Sequence, residues 1–280
     1  MASEVTRMEG GKQAVLRLDV DGAKELVNIG VRRASAFLKL GLHAMDFDRP
    51  HNLTLSGGVA YNFWPTDIEN VVWEQIYEEY SCWLKGCCLK ELDQYFTLFL
   101  NELLVFAELS LKSGTSLSGK DIMEVRARVA NGTSVSKKVS ALSKKIGSVD
   151  NAVHFSSLTS ARNALTHGAG HVRSRDCDKE GLLRVTWLGM EMVIQDGEQE
   201  HVCRDTPLDR FQVQVPTGAP VSVRYVEQER VFAEGDKVDF SPQELAEICA
   251  FFRTEAAKKV ASFLEFTDRI GIERAPAKQG

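Results

Sequence analysis

The spacing of apolar side chains predicts a mostly helical chain. From Asp67 to about Lys112, apolar residues recur at intervals of three and four, which is the period of a helix. At 1.5 Å per residue, one straight helix of this length would extend about 65–70 Å, more than a compact domain usually holds. Gly86 stands near the middle of the pattern, so we expect a kink or a break there.

The N-terminal region shows a different pattern. Residues 14–20 alternate between apolar and polar positions, which predicts a short strand. The Asp-Gly pair at 21–22 then predicts a turn that leads into a helix over 23–46. Residues 47–67 are rich in Gly, Pro and Asn, as is typical of a loop. We assign residues 1–65 to an N-terminal extension made of a strand and a helix.

Helical periodicity returns after a loop rich in Gly and Ser. Two short helices are predicted at 120–131 and 135–147, and a third at 150–167 is followed by glycine. Together with the long helical stretch, these helices form a predicted core at 66–172 that contains the motif discussed below.

After this core the chain changes to short, Val-rich segments in which apolar and polar residues alternate. Turn sequences such as QDGE and PTGAP separate the segments, so we predict a β-rich insertion at 173–240. A final helix at 241–270 completes the core. Its start is marked by Ser241 as N-cap, Pro242 at the first helical position and Glu244, which completes a capping box.

Composition limits the class of protein. The 280 residues are 44% hydrophobic and 26% charged, which is typical of a soluble globular protein. The formal net charge is −5, so contact with nucleic acid would require a local basic surface. We expect no membrane span, because charges interrupt the apolar stretches. The six cysteines match no standard zinc spacing, so we expect reduced thiols in a cytoplasmic protein with neither a metal nor another cofactor.

Candidate chemistry concentrates in the segment SSLTSARNALTHGAGHV, residues 156–172. Asn163 and His167 are four positions apart and share a helix face, whereas Arg162 and His167 are about 140° apart around the axis. Gly168 is suited to the position just after the helix end, which would leave His167 in the last turn, where the helix dipole favours a protonated histidine. Arginine offers a planar fork for phosphate oxygens, and histidine can move protons near neutral pH.

The same residues also admit an ordinary interpretation. An arginine and a histidine five positions apart occur together by chance in many chains, and a histidine followed by glycine is a common helix end. From the residues alone, a capped helix without chemistry and a site that handles phosphate both stay open.

The sequence RNALTH nevertheless resembles the motif of the HEPN superfamily (higher eukaryotes and prokaryotes nucleotide-binding), in the group whose motif is Arg-Asn-x-x-x-His followed by glycine. The resemblance extends over residues 66–268, although only the motif is specific. It implies a mainly α fold, an HEPN-like helical bundle with the β-rich insertion before the last helix, that forms a homodimer. It also implies a metal-independent endoribonuclease of a toxin–antitoxin or defence system, with an antitoxin or defence partner protein. By this resemblance Arg162 and His167 are catalytic and Asn163 supports them.

The implied chemistry needs few groups. RNA carries its own nucleophile, the 2′-OH, so an enzyme has to move protons and stabilise the charge that develops on the phosphorane. His167 suits the first task and Arg162 the second. Ala169 departs from the pattern, because HEPN toxins paired with a nucleotidyltransferase antitoxin often carry tyrosine there. The resemblance therefore does not extend to regulation through that tyrosine.

A basic region at 120–147 could hold the RNA backbone. Basic stretches give salt-sensitive affinity for phosphates whatever the base sequence, although a solvated helix face is the alternative. We expect four lysines of this region to be exposed, namely Lys137, Lys138, Lys144 and Lys145. The predicted RNA-binding residues are Lys137, Lys138, Lys144, Lys145, His171 and Arg173.

Two other groups of residues are interpreted as structural. Acidic residues in the long helical stretch are interpreted as solvated or helix-pairing charges, not as metal ligands; they are Glu91, Asp93, Glu102 and Glu108. A set of aromatic residues is interpreted as core and not as a surface for base stacking; it comprises Trp64, Trp73, Tyr77, Tyr80 and Trp83.

Two alternatives to the endoribonuclease stay open. One is a catalytically inactive HEPN scaffold that binds RNA, a nucleotide or a partner protein. The other is an unrelated helical protein in which the motif is accidental.

Overall fold

The structure is a computed structural model that describes residues 5–6, 15–44, 70–115, 117–203 and 220–273. In this part of the chain, six α-helices pack together and a three-stranded antiparallel sheet lies beside them. The mainly helical fold and the strand-rich segment before the last helix are confirmed. Two sequence predictions lie outside the described residues, the loop at 47–67 and the core position of Trp64, and so do residues 204–219 of the predicted β-rich insertion.

The N-terminal strand is shorter than predicted and the helix begins earlier. β2 (Val15–Leu16) pairs antiparallel with β1 (Val5–Thr6), and α1 (Val20–Ala44) follows. The Asp-Gly pair at 21–22 lies in the first turn of α1, not in a turn before it. The reason is a local cap, since the glycine amide donates a 2.8 Å hydrogen bond to the carboxylate of Asp19.

Of the kink or break expected at Gly86, the break does not occur, because α2 (Asn70–Ser110) is one uninterrupted helix of 41 residues. Gly86 serves a different purpose, at the crossing with α5 (Ala152–His167). A Cβ atom at Gly86 would lie 3.1 Å from Cγ2 of Thr166 and 3.2 Å from Cβ of Leu165. The glycine therefore lets the two helices approach closely at the residues of the motif.

The remaining helices agree with the sequence prediction. α3 (Gly119–Ala130) and α4 (Val135–Ile146) lie where the apolar period placed them. α6 (Pro242–Arg269) begins with the predicted capping box. The Ser241 hydroxyl accepts from the Glu244 amide (3.1 Å), and the Glu244 carboxylate accepts from the Ser241 amide (2.7 Å).

One hydrophobic core joins these helices. The ring of Phe96 on α2 stacks on Phe155 of α5 with 4.6 Å between centroids, and meets Phe252 of α6 edge-on at 5.2 Å. Such contacts fix the relative positions of the three helices. α1 contributes Ala34 and Leu38 to the same core, so the helix assigned to an N-terminal extension packs with the others.

The sheet has the strand order β4–β3–β5, formed by β3 (Leu182–Asp196), β4 (Gln199–Cys203) and β5 (Val221–Ala233). β3 and β5 are each one long strand where the sequence predicted two short ones, because their mutual pairing continues without interruption. The sheet is attached to the helices through Trp187, which is fully buried and donates from Nε1 to Oε2 of Glu247 on α6 (3.2 Å).

Candidate functional site

The motif lies at the C-terminal end of α5, against the middle of α2. Ala161 and Ala164 are fully buried in the core. Arg162 and Asn163 are half-buried, and His167 is exposed. The polar residues of the motif therefore line the surface beside the crossing of the two helices.

Arg162 is anchored by a carboxylate from α2. Its Nη1 donates to Oδ2 of Asp93, and its Nη2 donates to Oδ1 of Asn163 at 2.8 Å. The ion pair is shielded, because the side chains of Arg162 and Asp93 are only 25% and 15% exposed. Within the described ranges these bonds use two of the five N–H groups of the guanidinium, which leaves three for a ligand.

Asp93 was one of four acidic residues interpreted as solvated or helix-pairing charges, and the pairing is confirmed for all four. The other three bind basic residues of α1, α3 and α4: Glu91 with Arg33, Glu102 with Arg126, and Glu108 with both Arg128 and Lys145. Asp93 differs from them because its partner, Arg162, belongs to the motif. Burial raises the pKa of the Asp93 carboxyl, while Arg162 and Thr159 act in the opposite direction.

The His167 ring has no hydrogen-bond partner among the described residues. Its backbone carbonyl accepts a 2.8 Å hydrogen bond from Nη1 of Arg173. The side chain is therefore exposed in the last turn, as the sequence predicted, but nothing in the described part of the chain fixes its orientation.

Arg173, a predicted RNA-binding residue, closes the end of α5. Besides the His167 carbonyl, its guanidinium donates to the Asn163 carbonyl at 3.4 Å and to Oδ2 of Asp176 at 3.0 Å. Arginine often satisfies helix C-terminal carbonyls in this way. These contacts give Arg173 a structural role at the motif.

The turn after His167 is tightly packed. Gly168 follows the helix as expected, but the left-handed backbone falls on Ala169 (φ 51°) and Gly170 (φ 87°). A Cβ at Gly168 would lie 2.5 Å from the backbone oxygen of His171, and a Cβ at Gly170 would lie 2.6 Å from Sγ of Cys82 on α2. Both glycines are therefore required by space, and the second also by conformation.

The turn is joined by backbone hydrogen bonds to residues 235–238, the segment between β5 and α6. The Val238 amide donates to the Gly170 carbonyl (2.8 Å), and Val172 exchanges two 2.9 Å bonds with this segment. His171, also a predicted RNA-binding residue, is exposed and pairs with Lys237 in an antiparallel bridge. Its Nδ1 lies 3.1 Å from the Gly235 carbonyl oxygen.

The expected exposure of the four lysines is wrong for Lys138. It is 3% exposed, and its Nζ donates to Oδ1 of Asn101 (2.6 Å) and to the carbonyl of Val129 (2.8 Å). Position 138 falls on the same face of α4 as Val135 and Leu142, and both of these are buried. Burial lowers the pKa of the Lys138 ammonium, and the side chain holds the end of α3 instead of facing RNA.

The other three lysines lie at or near the surface. Lys137 and Lys144 are exposed, whereas Lys145 is half-buried and lies 3.5 Å from Oε1 of Glu108. A backbone-binding surface on α4 would therefore consist mainly of two free lysines.

The core interpretation of the aromatic residues is wrong for Trp83. Trp73 is buried, but Trp83 is 60% exposed and stacks on Tyr80 with 5.9 Å between ring centroids. Helical period alone could not separate the two tryptophans, because the buried face of α2 changes where α1 and α5 cover it.

A groove beside the motif was missed by the sequence reasoning. It has a volume of about 500 Å³ and runs between α2 and the segment before α6. Its polar lining residues come from chain positions far apart, which no local pattern connects: Tyr77, Glu78, Ser81 and Lys85 from α2, and Lys237 and Asp239 from the other wall.

In the described ranges, no group of three or more His, Cys, Asp or Glu side chains could share a metal ion. None of the helices described is both long enough and apolar enough to cross a membrane.

No protein-family model, curated protein or solved structure matches this chain. The functional assignment therefore rests on the motif and on the geometry around it.

Proposed function

We propose that this protein is a metal-independent endoribonuclease of the HEPN type. The observation that supports it is the arrangement at the end of α5, where an anchored Arg162 and Asn163 lie one turn before the exposed His167. These are the side chains that the RNALTH resemblance assigns to catalysis.

The proposed mechanism uses the 2′-OH of the RNA as nucleophile. The 2′-oxygen bonds to phosphorus as the bond from phosphorus to the 5′-oxygen breaks. His167 moves the proton from the 2′-OH to the leaving 5′-oxygen, as an exposed histidine can do near neutral pH. Arg162 donates its three remaining N–H groups to the phosphorane oxygens. Asn163 accepts from Arg162 through Oδ1, which leaves its Nδ2 amide to donate to the same phosphate. The products are a 2′,3′-cyclic phosphate and a 5′-OH.

We also propose that the functional form is a cytoplasmic homodimer in a toxin–antitoxin or defence system, with an antitoxin or another protein of that system as partner. Within one chain, the described residues hold Arg162 but do not orient His167. A two-fold axis would bring two RNALTHG segments to one cleft and double the local positive potential. The exposed Lys137 and Lys144, with Lys145 and His171, would extend this surface along the RNA.

One observation favours a second candidate, a catalytically inactive scaffold that binds RNA, a nucleotide or a protein. Asp93 neutralises the charge of Arg162 inside the chain. A compensated guanidinium still binds an oxygen through its hydrogen bonds, but it stabilises a growing negative charge less than a free one.

Cleavage of RNA by the purified protein, with and without EDTA, separates the two candidates. We expect cleavage that survives EDTA and leaves cyclic phosphate ends. His167→Ala should lower the rate about 10²–10⁴-fold, the usual loss when a general acid–base group is removed. His43→Ala is the matched control, since His43 is also an exposed histidine in the last turn of a helix.

Three results would contradict the proposed endoribonuclease activity. They are loss of activity in EDTA with recovery in magnesium, cleavage of RNA that lacks the 2′-OH at the cut, and equal activity of the His167→Ala and wild-type proteins. Binding of RNA without any turnover would instead support the scaffold.

A further inference from the structure

The groove beside the motif is built on the same contacts that hold the motif turn. On the α2 wall, Cys82 touches the Gly170 turn and donates from Sγ to the Leu165 carbonyl at 3.9 Å. On the other wall, Val238 donates to the Gly170 carbonyl and Lys237 pairs with His171. The groove therefore shares its walls with the turn that follows His167.

Two ion pairs in the groove share an unusual asymmetry. Lys85 pairs with Asp239, and the side chains are 12% and 67% exposed, respectively. Lys237 pairs with Glu78 at 2.7 Å, with exposures of 39% and 69%. In each pair the lysine side chain is less exposed than the carboxylate side chain.

This asymmetry makes the carboxylates exchangeable. A solvated carboxylate loses little when it leaves an exposed pair, because such pairs contribute only about 0–1 kcal/mol. The buried stem of Lys85 keeps its ammonium in place, so the lysine needs another anion if Asp239 turns away. The hydrogen bond from Lys237 lowers the pKa of Glu78.

We propose that this groove binds a phosphodiester of single-stranded RNA next to the one at His167, with Lys85 and Lys237 as its ligands and Asp239 and Glu78 as the anions that it displaces. The proposal rests on the proposed function. In the free protein the two carboxylates hold the lysines in position, and in the complex the phosphate takes their place.

Because carboxylate and phosphate compete for the lysines, substitutions of the carboxylates and of the lysines should change the affinity for RNA in opposite directions. Glu78→Gln and Asp239→Asn remove the competing anion, so each should tighten RNA binding about two- to fivefold. Lys85→Met and Lys237→Met should weaken binding about tenfold, and each should lower the slope of log K against log salt by about 0.7, the value for one lost contact to a single strand.

Binding is measured by fluorescence anisotropy with a short labelled single-stranded RNA at several salt concentrations. All variants are made in the full-length His167→Ala chain so that the RNA stays intact. Glu25→Gln is the matched control. Glu25 pairs with Arg32 at 2.6 Å on α1, so the substitution changes the net charge equally at a site outside the groove, and affinity should not change.

Because the side chain of Lys85 is mostly buried, thermal unfolding of each variant is recorded first. The two carboxylate variants change exposed side chains and keep the test valid if Lys85→Met unfolds. Unchanged affinity in Glu78→Gln and Asp239→Asn would overturn the groove proposal. Adenosine monophosphate bound as tightly as the RNA would overturn its assignment to a nucleic acid strand.

The same data separate the two proposals. If the His167→Ala protein does not bind RNA and the wild type does not cleave it, the proposed function fails. If the wild type cleaves RNA and the carboxylate variants bind it as the parent does, only the groove proposal fails.

Discussion

The electrostatics of the motif depends on one residue outside it, Asp93. Its carboxylate neutralises Arg162, orients the guanidinium toward Asn163 and is itself shielded from water. An arginine on an exposed helix end would be mobile and strongly hydrated. Held by Asp93, Arg162 offers a fixed set of donors, which is what an ordered phosphate contact requires.

Removing Asp93 should therefore destabilise the folded protein strongly. Asp93→Ala leaves a half-buried guanidinium without its counter-ion, and we expect a loss of roughly 3 kcal/mol in the free energy of unfolding. Glu91→Ala is the control on the same helix, because the Glu91–Arg33 pair is more open to water and should contribute at most about 1 kcal/mol. Urea unfolding measures both, and equal losses would show that the Asp93–Arg162 pair is not specially shielded.

Gly170 provides a second test at this scale. Gly170 and Gly114 both have positive φ, at 87° and 85°. A Cβ at Gly114 meets nothing within 4 Å, whereas one at Gly170 meets Cys82 at 2.6 Å. Gly114→Ala should cost about 1–2 kcal/mol for the backbone strain alone. Gly170→Ala should cost roughly 1–3 kcal/mol more, because the Cys82 side chain has to move. A similar change in melting temperature for the Gly114→Ala and Gly170→Ala variants would mean that the packing of the turn against Cys82 of α2 contributes little.

His154 gives the molecule a predicted dependence on pH. It is 5% exposed, its Nδ1 lies 2.8 Å from Oγ1 of Thr186, and burial lowers its pKa, opposed by Glu227 and Glu255. Below the ordinary value of 6.5, the unfolded chain takes up a proton that the folded chain accepts only at lower pH. Stability should therefore fall as the pH drops from about 7 to about 5.

The matched variant is His154→Asn, which keeps a polar group beside Thr186 but does not titrate. Its stability should depend less steeply on pH in this range. Chemical unfolding at several pH values compares the two proteins, and parallel curves would exclude His154 as the source of the dependence.

At the scale of elements, local patterns predicted most of the helices because their caps and apolar faces lie within the helix itself. The capping box at Ser241 and the two helices α3 and α4 are examples. Gly86 and Lys138 were misjudged because their surroundings come from elsewhere. Gly86 faces α5, and Lys138 reaches Asn101 on α2. The same limit applies to the site, where the sequence showed the motif but neither the pairing of Asp93 with Arg162 nor the groove.

Lys259 shows how α6 holds the segment that leads into α5. It is 2% exposed, and its Nζ donates to the hydroxyls of Ser143 (2.7 Å) and Ser148 (3.0 Å) and to the carbonyl of Val149. Lys259→Met should cost roughly 2–4 kcal/mol, because the Val149 carbonyl loses its partner in a buried site. Arg253 on the same helix is exposed, so Arg253→Met should cost less than about 1 kcal/mol. Equal costs in thermal or denaturant unfolding would mean that the three bonds add nothing.

At the scale of the whole molecule, the proposed shared cleft predicts a dimer that does not need the catalytic histidine. His167→Ala should lower the rate of cleavage about 10²–10⁴-fold. It should leave the dimer intact, because His167 is an exposed polar side chain. Light scattering over a dilution series, run beside the RNA assay, measures both properties. A monomer with full activity at every concentration would exclude the shared cleft.

The bonds from the Gly170 turn to residues 235–238 also bear on how far the motif can be transplanted. The motif RNALTHG is only seven residues long. Its geometry nevertheless depends on contacts with Asp93 and Cys82 of α2 and with a segment that follows the sheet. If the same seven residues were grafted onto the end of another helix, they would lack the carboxylate of Asp93, which holds the arginine. They would also lack the backbone of residues 235–238, which holds the turn. In a chain that has the motif sequence without these contacts, we expect an ordinary helix end and no site.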